Sequence, residues 1–156
     1  MPEPLVVRAV VDTNLLVRGI LRRRPSSAAV RLFDAIDEGR LRLVTCQYIL
    51  DELRETLIDP EIRAIAPNLS IEIIEQILKE LRTEADFVPG DFDGDFVPEN
   101  PKDNPIVACA LEADAGYLVT EDRGLLALGA RRLAAFRPVR IVYAKKFLEL
   151  LERGDA

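Results

Sequence analysis

The sequence contains no histidine among its 156 residues. Histidine is the general base of Ser-His-Asp and Cys-His catalysis, so both mechanisms are excluded. It is also the commonest protein ligand of zinc, copper and non-haem iron. A catalytic metal ion in this chain would therefore be bound by oxygen atoms, which favours Mg²⁺, Mn²⁺ or Ca²⁺.

Long apolar runs and a secretory leader are also missing. No stretch approaches the roughly 20 apolar residues that a membrane-spanning helix needs. The opening residues, MPEPLVVRAVVDTN, place an acid and prolines where a leader would be basic. We therefore expect a cytoplasmic protein that does not contact a membrane.

Cysteine is scarce. Cys46 and Cys109 are the two present, and they stand far apart in the sequence, in no spacing typical of metal ligands. This pattern favours two buried, small apolar side chains in a reducing compartment.

Basic residues are outnumbered by acidic ones, 21 to 27, which leaves a net charge of −6. A general nucleic-acid coat protein would carry a basic footprint, so that class is disfavoured. A nuclease is not excluded, because carboxylates that bind a metal ion count against the net charge until the cation is present. Three short basic clusters exist, each by itself typical of a solvated surface: Arg22, Arg23 and Arg24; Arg131 and Arg132; Lys145 and Lys146.

Predicted strands and helices alternate along the chain. The strands are at residues 5–11, 41–45, 85–88, 116–120 and 139–143, and the helices at 28–38, 48–57, 62–66, 71–85, 103–114, 123–128 and 144–153. Such alternation implies right-handed crossovers and a parallel sheet. We therefore predict an α/β fold, a three-layer αβα sandwich with about five parallel strands, formed by one domain that covers residues 1–156.

Four acids fall at one predicted edge of this sheet. Asp12 directly follows the first strand, Asp122 follows the fourth, and Asp103 opens the helix before the fourth strand. Glu52 lies on the helix after the second strand, on the flank of its apolar face, whereas Glu55 points away. In parallel sheets the functional crevice lies at this carboxyl edge, so the four acids are a candidate site.

Each acid also has a structural interpretation. Asp12 and Asp122 stand where a carboxylate often caps a helix, and Glu52 alone is typical of a solvated surface. Asp103 is less needed as a cap, because Asn104 directly precedes Pro105, a residue favoured at the first helical position. Converging carboxylates without basic partners would repel one another, and a divalent cation removes that repulsion. A cation bound by such acids can polarise a phosphoryl oxygen and activate water.

Four segments together resemble the PIN-domain family, and its prokaryotic VapC-like toxin branch in particular: VVDTNLLV, ILDELRETL, NPKDNPIVACALEA and YLVTEDRGLLAL. Each segment is short, but their order and spacing cover nearly the whole chain, and the closing IVYAKKFLELL is similar as well. The resemblance implies a metal-dependent endoribonuclease that hydrolyses RNA to 5′-phosphate and 3′-hydroxyl ends. The acids that match are Asp12, Glu52, Asp103 and Asp122, which would bind Mg²⁺ or Mn²⁺ and act in catalysis.

The resemblance also assigns supporting residues. Asn14 and Thr120 would orient the acids, and Arg22, Arg23 and Arg24, in the loop after the first strand, could steer the RNA backbone. The chain departs from the branch at Glu121, where glycine is frequent, and at Gly116, where an aspartate is usual. Neither departure removes one of the four acids.

Other readings of single motifs fail. The loop DFDGDF, with Asp91, Asp93 and Asp95, lacks the glycine and glutamate that an EF-hand requires at its sixth and twelfth positions. A haloacid-dehalogenase-type phosphatase needs a second aspartate two residues after Asp12, and that position holds Asn14. The first strand is followed by no glycine-rich dinucleotide turn.

One alternative remains open, a catalytically silent PIN fold that serves as an RNA- or protein-binding module. The resembled branch commonly works beside a cognate antitoxin protein, which would be a partner here, and the chain would then be the toxin of a toxin–antitoxin pair. A homodimer is possible by the same analogy, with the apolar face over residues 71–81 as one candidate surface. Packing of that face against the protein's own sheet is the stronger expectation.

Overall fold

The computed structural model describes residues 6–90, 94–131 and 139–156. Leu5 of the predicted first strand, Asp91 and Asp93 of the rejected calcium loop, and Arg132 lie outside these residues. The elements are, in chain order, β1 Val7–Val11, α1 Thr13–Leu21, α2 Ala28–Asp37, β2 Leu41–Cys46, α3 Gln47–Ile58, α4 Pro60–Ile65, α5 Ile71–Glu84, β3 Asp86–Val88, a 3₁₀ turn Pro101–Asp103, α6 Asn104–Glu112, β4 Tyr117–Val119, α7 Arg123–Arg131, β5 Arg140–Val142 and α8 Ala144–Arg153.

The five strands form one sheet in the order β3-β2-β1-β4-β5, with every neighbouring pair parallel. β1 is central, and Val10 lies opposite Val44 of β2 and Leu118 of β4. The chain steps from β1 outward through β2 to β3, and then returns to the other side of β1 for β4 and β5. The direction of winding therefore reverses between β1 and β4, where a crevice opens at the carboxyl edge.

Helices cover both faces of this sheet, which confirms the predicted three-layer αβα fold. Right-handed crossovers place the β1-to-β3 connections on one face and the β3-to-β5 connections on the other. Consistent with this, α1 contacts α2 and α3, α3 contacts α5, and α8 contacts α2, whereas α6 packs on β1 and β2, and α7 on β5.

The core lies between these layers. The inner residues of β1 (Ala9, Val10 and Val11) are almost fully buried, as expected for a strand covered on both faces. The Phe147 ring of α8 meets the Tyr117 ring of β4 edge-on, with centroids 5.1 Å apart. No helix in the described ranges is long and apolar enough to cross a membrane.

Helix α1 corrects the sequence prediction, which assigned no helix to residues 13–21 and placed the three arginines in a loop directly after the first strand. The chain instead turns into α1 immediately after Asp12. Arg22, in the left-handed conformation at φ 49°, ends that helix. The arginine cluster therefore follows α1, which carries it away from the strand.

The predicted apolar face of α5 is also only partly right. Ile74 and Leu78 are buried, and the helix packs against α3 and β3. Ile71, which we placed on the same face, is 46% exposed at the first turn. This outcome supports packing of α5 within the domain, and the predicted homodimer stays a prediction.

Candidate active site

Asp12 lies at the end of the central strand, where β1 meets β4. Its backbone N–H donates to the Val119 carbonyl at 2.9 Å, which extends the sheet ladder by one residue. Its Oδ1 accepts from the Thr13 N–H at 2.8 Å and so caps α1. The capping interpretation is therefore confirmed for Asp12, but it occupies only one of the two carboxylate oxygens.

Thr120 fixes the other oxygen. The side chain is completely buried, and its Oγ1 donates to Asp12 Oδ2 at 2.7 Å. The same Oγ1 accepts from the Asp122 N–H at 3.0 Å. One hydroxyl thus ties the residue after β1 to the turn after β4, as expected for a group that orients Asp12.

Asp122 follows β4 by three residues and precedes α7. Its Oδ2 accepts from the Leu125 N–H at 2.8 Å, so this acid also caps a helix. The residue is exposed. A Cβ on the nearby Gly124 would stand 3.1 Å from Asp122 Oδ2, so the absence of a side chain there keeps the carboxylate uncrowded.

Asp103 ends the 3₁₀ turn and precedes α6 without capping it. Its Oδ2 accepts from Asn100 Nδ2 at 3.1 Å. The loop that carries it is fixed by Asn104, whose Oδ1 accepts from the Val97 N–H at 2.8 Å. The carboxylate of Asp103 is therefore held at the start of α6 but forms no capping hydrogen bond to it.

Glu52 approaches from α3. It is half-buried while Glu55 is exposed, which confirms the predicted difference between the two glutamates. One turn earlier on the same helix, the Tyr48 hydroxyl donates to the Lys102 carbonyl at 3.1 Å. Lys102 directly precedes Asp103, so Tyr48 joins α3 to the loop of the third acid.

The negative charge of each neighbouring acid affects the pKa of the others. Burial raises the pKa of Asp12, and the charge of Asp122 raises it further, against hydrogen bonds from Thr120 and Thr13. Burial and the charges of Asp12 and Asp103 raise the pKa of Glu52. The pKa of Asp103 is raised by burial and then by Asp122 and Asp12. The four carboxylates that sequence reasoning selected are therefore brought together at one edge of the sheet.

The donor set is suited to a hard cation. All four side chains offer oxygen, and within the described ranges none of them forms an ion pair with lysine or arginine. In the same ranges, no three acids or cysteines are arranged so that they could hold one metal ion. Mg²⁺ commonly takes only one or two carboxylates and keeps several waters, so the residues fit such an ion without a three-acid cluster.

A cleft of about 290 Å³ opens beside two of the acids. Its lining combines acidic and amide side chains with small apolar ones: Val97, Glu99, Asn100, Asp103, Asp122, Gly124, Ala127 and Leu128. The cleft gives a ligand access to the carboxylates from solvent.

The structure does not bring every predicted residue to this site. Asn14 is exposed on the first turn of α1, and among the described residues its side chain has no hydrogen bond to an acid. Arg22 and Asp12 lie at opposite ends of the nine-residue helix α1, about 14 Å apart along its axis. Arg22 forms an ion pair with Asp34 at 3.9 Å. Arg23 and Arg24 are exposed beside it. The arginine cluster is thus separated from the acids by the length of α1.

Sequence reasoning missed three residues that shape the site: Tyr48, Asn100 and Asn104. Tyr48 precedes Glu52 by four positions, so helical periodicity alone could have placed both on one face. The two asparagines had no comparable signal, because their roles depend on how the loop before α6 folds.

The sequence model of one protein family, described as PIN domain, matches residues 8–124, or 117 of the 156 residues. No curated protein sequence is significantly similar. One similar structure is that of VapBC2 from Rickettsia felis, bound to a DNA fragment from its promoter. It matches 88% of this chain and 98% of its own, at a TM-score of 0.53 and 12% sequence identity. FitAB bound to the IR36 DNA fragment is similar at a TM-score of 0.56 and 18% identity, over 87% and 94%. These likenesses agree with the observed sheet and its flanking helices, and with the family match they show that the chain belongs to the PIN-domain family.

Proposed function

We propose that this protein is a metal-dependent endoribonuclease and the toxin component of a toxin–antitoxin pair. One observation carries the proposal. The four acids lie at one edge of the sheet, where Thr120 joins Asp12 to the Asp122 N–H, and within the described residues none of them is ion-paired with a basic side chain. Such a cluster is unfavourable by itself and becomes favourable when it binds a cation.

In this proposal Asp12, Glu52, Asp103 and Asp122 bind one or two Mg²⁺ or Mn²⁺ ions. A bound divalent cation polarises a phosphoryl oxygen and lowers the pKa of water, which is the chemistry that phosphodiester hydrolysis needs. Thr120 keeps Asp12 in a fixed rotamer through its 2.7 Å hydrogen bond. The cleft beside Asp103 and Asp122 admits the substrate.

In this proposal the substrate is RNA, the class that the family resemblance implies. Arg22, Arg23 and Arg24 contact the RNA backbone at a distance from the scissile phosphate, because α1 separates them from the acids. Such contacts would raise affinity without taking part in the chemical step.

Partnership with an antitoxin is favoured by the structural comparisons. Both similar structures, VapBC2 and FitAB, are toxin–antitoxin complexes bound to DNA fragments, and each is similar over almost nine-tenths of this chain. A cognate antitoxin would act on this protein in the cytoplasm, where RNA is available.

The alternative, a catalytically silent binding module, is favoured by a different observation. Within the described residues, no three acids are arranged to hold one ion. A silent module would bind RNA or protein through the same surface without turnover. Metal-dependent cleavage separates the two functions.

The test compares the wild type with Asp12→Asn and Asp37→Asn on labelled single-stranded RNA of mixed sequence, with EDTA, Mg²⁺ or Mn²⁺. Asparagine caps a helix as well as aspartate does, so Asp12→Asn can keep the bond from the Thr13 N–H, and its thermal midpoint is recorded to show that the variant is folded. Asp37 is exposed at the end of α2 and supplies the same loss of charge away from the site. We expect cleavage only with metal, no cleavage by Asp12→Asn, and wild-type cleavage by Asp37→Asn. Full activity in Asp12→Asn, or activity in EDTA, would refute the proposal.

A further inference from the structure

Tyr48 occupies a junction between two of the acids. Its hydroxyl donates to the Lys102 carbonyl at 3.1 Å, across 54 residues of sequence. That carbonyl belongs to the peptide bond that leads into Asp103. The hydrogen bond thus fixes the backbone at the point from which the Asp103 side chain leaves.

Glu52 lies on the same side of α3 as Tyr48. The two residues are four positions apart, a spacing that puts them on one helix face. The hydrogen bond from Tyr48 to the Lys102 carbonyl therefore fixes the helix that carries Glu52 against the loop that carries Asp103.

A phenol has one proton to donate. Tyr48 donates it to the Lys102 carbonyl, and the ring that carries the hydroxyl is half-buried on α3. Loss of the hydroxyl would release the 3₁₀ turn before α6 from α3, and so change the position of Asp103 relative to Glu52. Among the described residues, the side chains of Asn100 and Asn104 form no hydrogen bond to α3.

We propose that Tyr48 is a positioning residue that sets Glu52 and Asp103 at the separation a divalent cation requires. This inference rests on the proposed metal-dependent function. Groups that orient metal ligands typically change metal affinity by roughly 10- to 100-fold when removed. For a single hydrogen bond we expect the lower end, a loss of roughly 10-fold in Mn²⁺ affinity.

The experiment measures Mn²⁺ binding directly, from the electron paramagnetic resonance signal of free Mn²⁺, for wild type, Tyr48→Phe, Tyr48→Ala and Tyr143→Phe. Tyr143 is 46% exposed before α8 and forms no side-chain cap there, so Tyr143→Phe supplies the same chemical change outside the site. The thermal midpoint is recorded for each variant. One lost hydrogen bond at an exposed carbonyl should shift it by less than about 4 °C.

The expected result is a loss of about 10-fold for both Tyr48 variants, with wild-type affinity in Tyr143→Phe and little change in thermal midpoint. Wild-type affinity in Tyr48→Phe would overturn the inference. So would a large loss in Tyr48→Ala alone, because the ring and not the hydroxyl would then matter. If Tyr48→Phe fails to fold, Mn²⁺ must selectively broaden the Tyr48 ring signals of the wild type, and unbroadened signals would overturn the inference. A wild type that binds no Mn²⁺ would instead refute the proposed function.

Discussion

Replacement of Thr120 by valine tests whether one hydroxyl holds the two halves of the site together. Valine keeps the shape of threonine, so the change deletes the bonds to Asp12 Oδ2 at 2.7 Å and from the Asp122 N–H at 3.0 Å. A hydrogen bond to a charged group contributes about 1.5–3 kcal/mol and a neutral one about 0.5–1.5 kcal/mol. These are net contributions, which already allow for water at the partly buried carboxylate and N–H that lose their partner. We therefore expect Thr120→Val to lower the free energy of unfolding by about 2–4 kcal/mol.

Thr45 provides the matched control. It is also buried at the carboxyl end of a strand, but its Oγ1 has no hydrogen-bond partner among the described residues. Removal of an unpartnered buried hydroxyl relieves a desolvation penalty, so Thr45→Val should be neutral or stabilising by about 1 kcal/mol.

Urea unfolding of both variants, followed by circular dichroism, decides the matter. The dependence of the free energy of unfolding on urea concentration should be the same as in the wild type, because both variants expose the same surface on unfolding. If Thr120→Val lowers the free energy of unfolding no more than Thr45→Val does, the Thr120 hydroxyl does not fix Asp12.

Two further predictions concern groups away from the acids. Asp86 accepts from Arg42 at 2.6 Å and from Arg8 at 2.8 Å, and these bonds outweigh burial and lower its pKa below the ordinary 3.8. Asp86→Asn should therefore cost about 1 kcal/mol at neutral pH after solvent screening, and acid titration of unfolding should show this difference begin to shrink near pH 4 and vanish once the pH lies below the lowered pKa. A difference that does not shrink as the pH falls below about 4 would contradict the ion-pair origin. Cys46 and Cys109 are both buried and free, and a hydrogen bond from Cys109 lowers the pKa of Cys46 to about 7. A thiol-reactive disulfide reagent should find no thiol at pH 8 in the folded chain and two in guanidinium, and rapid native reaction would refute their burial.

The layer architecture could be predicted from the sequence because each strand carries its own local pattern. The run of apolar residues in β1 is a local signal, and so are the serines that cap two helices, Ser27 before α2 and Ser70 before α5. Helix α1 could not be predicted in this way. Its Gly19 lowers helix propensity, and the benefit appears only in the fold, where a Cβ at that position would stand 2.2 Å from the Phe33 ring of α2.

The site likewise contains residues that a local sequence signal marks and residues that only the fold reveals. The four acids could be selected because strand ends and family motifs mark them, and Thr120 was expected beside Asp12 by resemblance. Periodicity could have placed Tyr48 beside Glu52, but its bond to the Lys102 carbonyl depends on the fold of the loop before α6. The bonds of Asn100 and Asn104 depend on the same loop and have no periodic signal. The arginine cluster was placed too near the acids since the intervening helix had not been recognised.

The hydrogen bond between Thr120 and Asp12 spans 108 residues of sequence. During synthesis, β1 and β2 emerge and can pair long before β4 exists. Asp12 and Glu52 are therefore synthesised well before Asp103, Thr120 and Asp122. Contacts of such long range form late, after the loop-closure entropy has been overcome. Under the proposed ribonuclease function, a newly made chain would thus acquire hydrolytic capacity only near the end of folding.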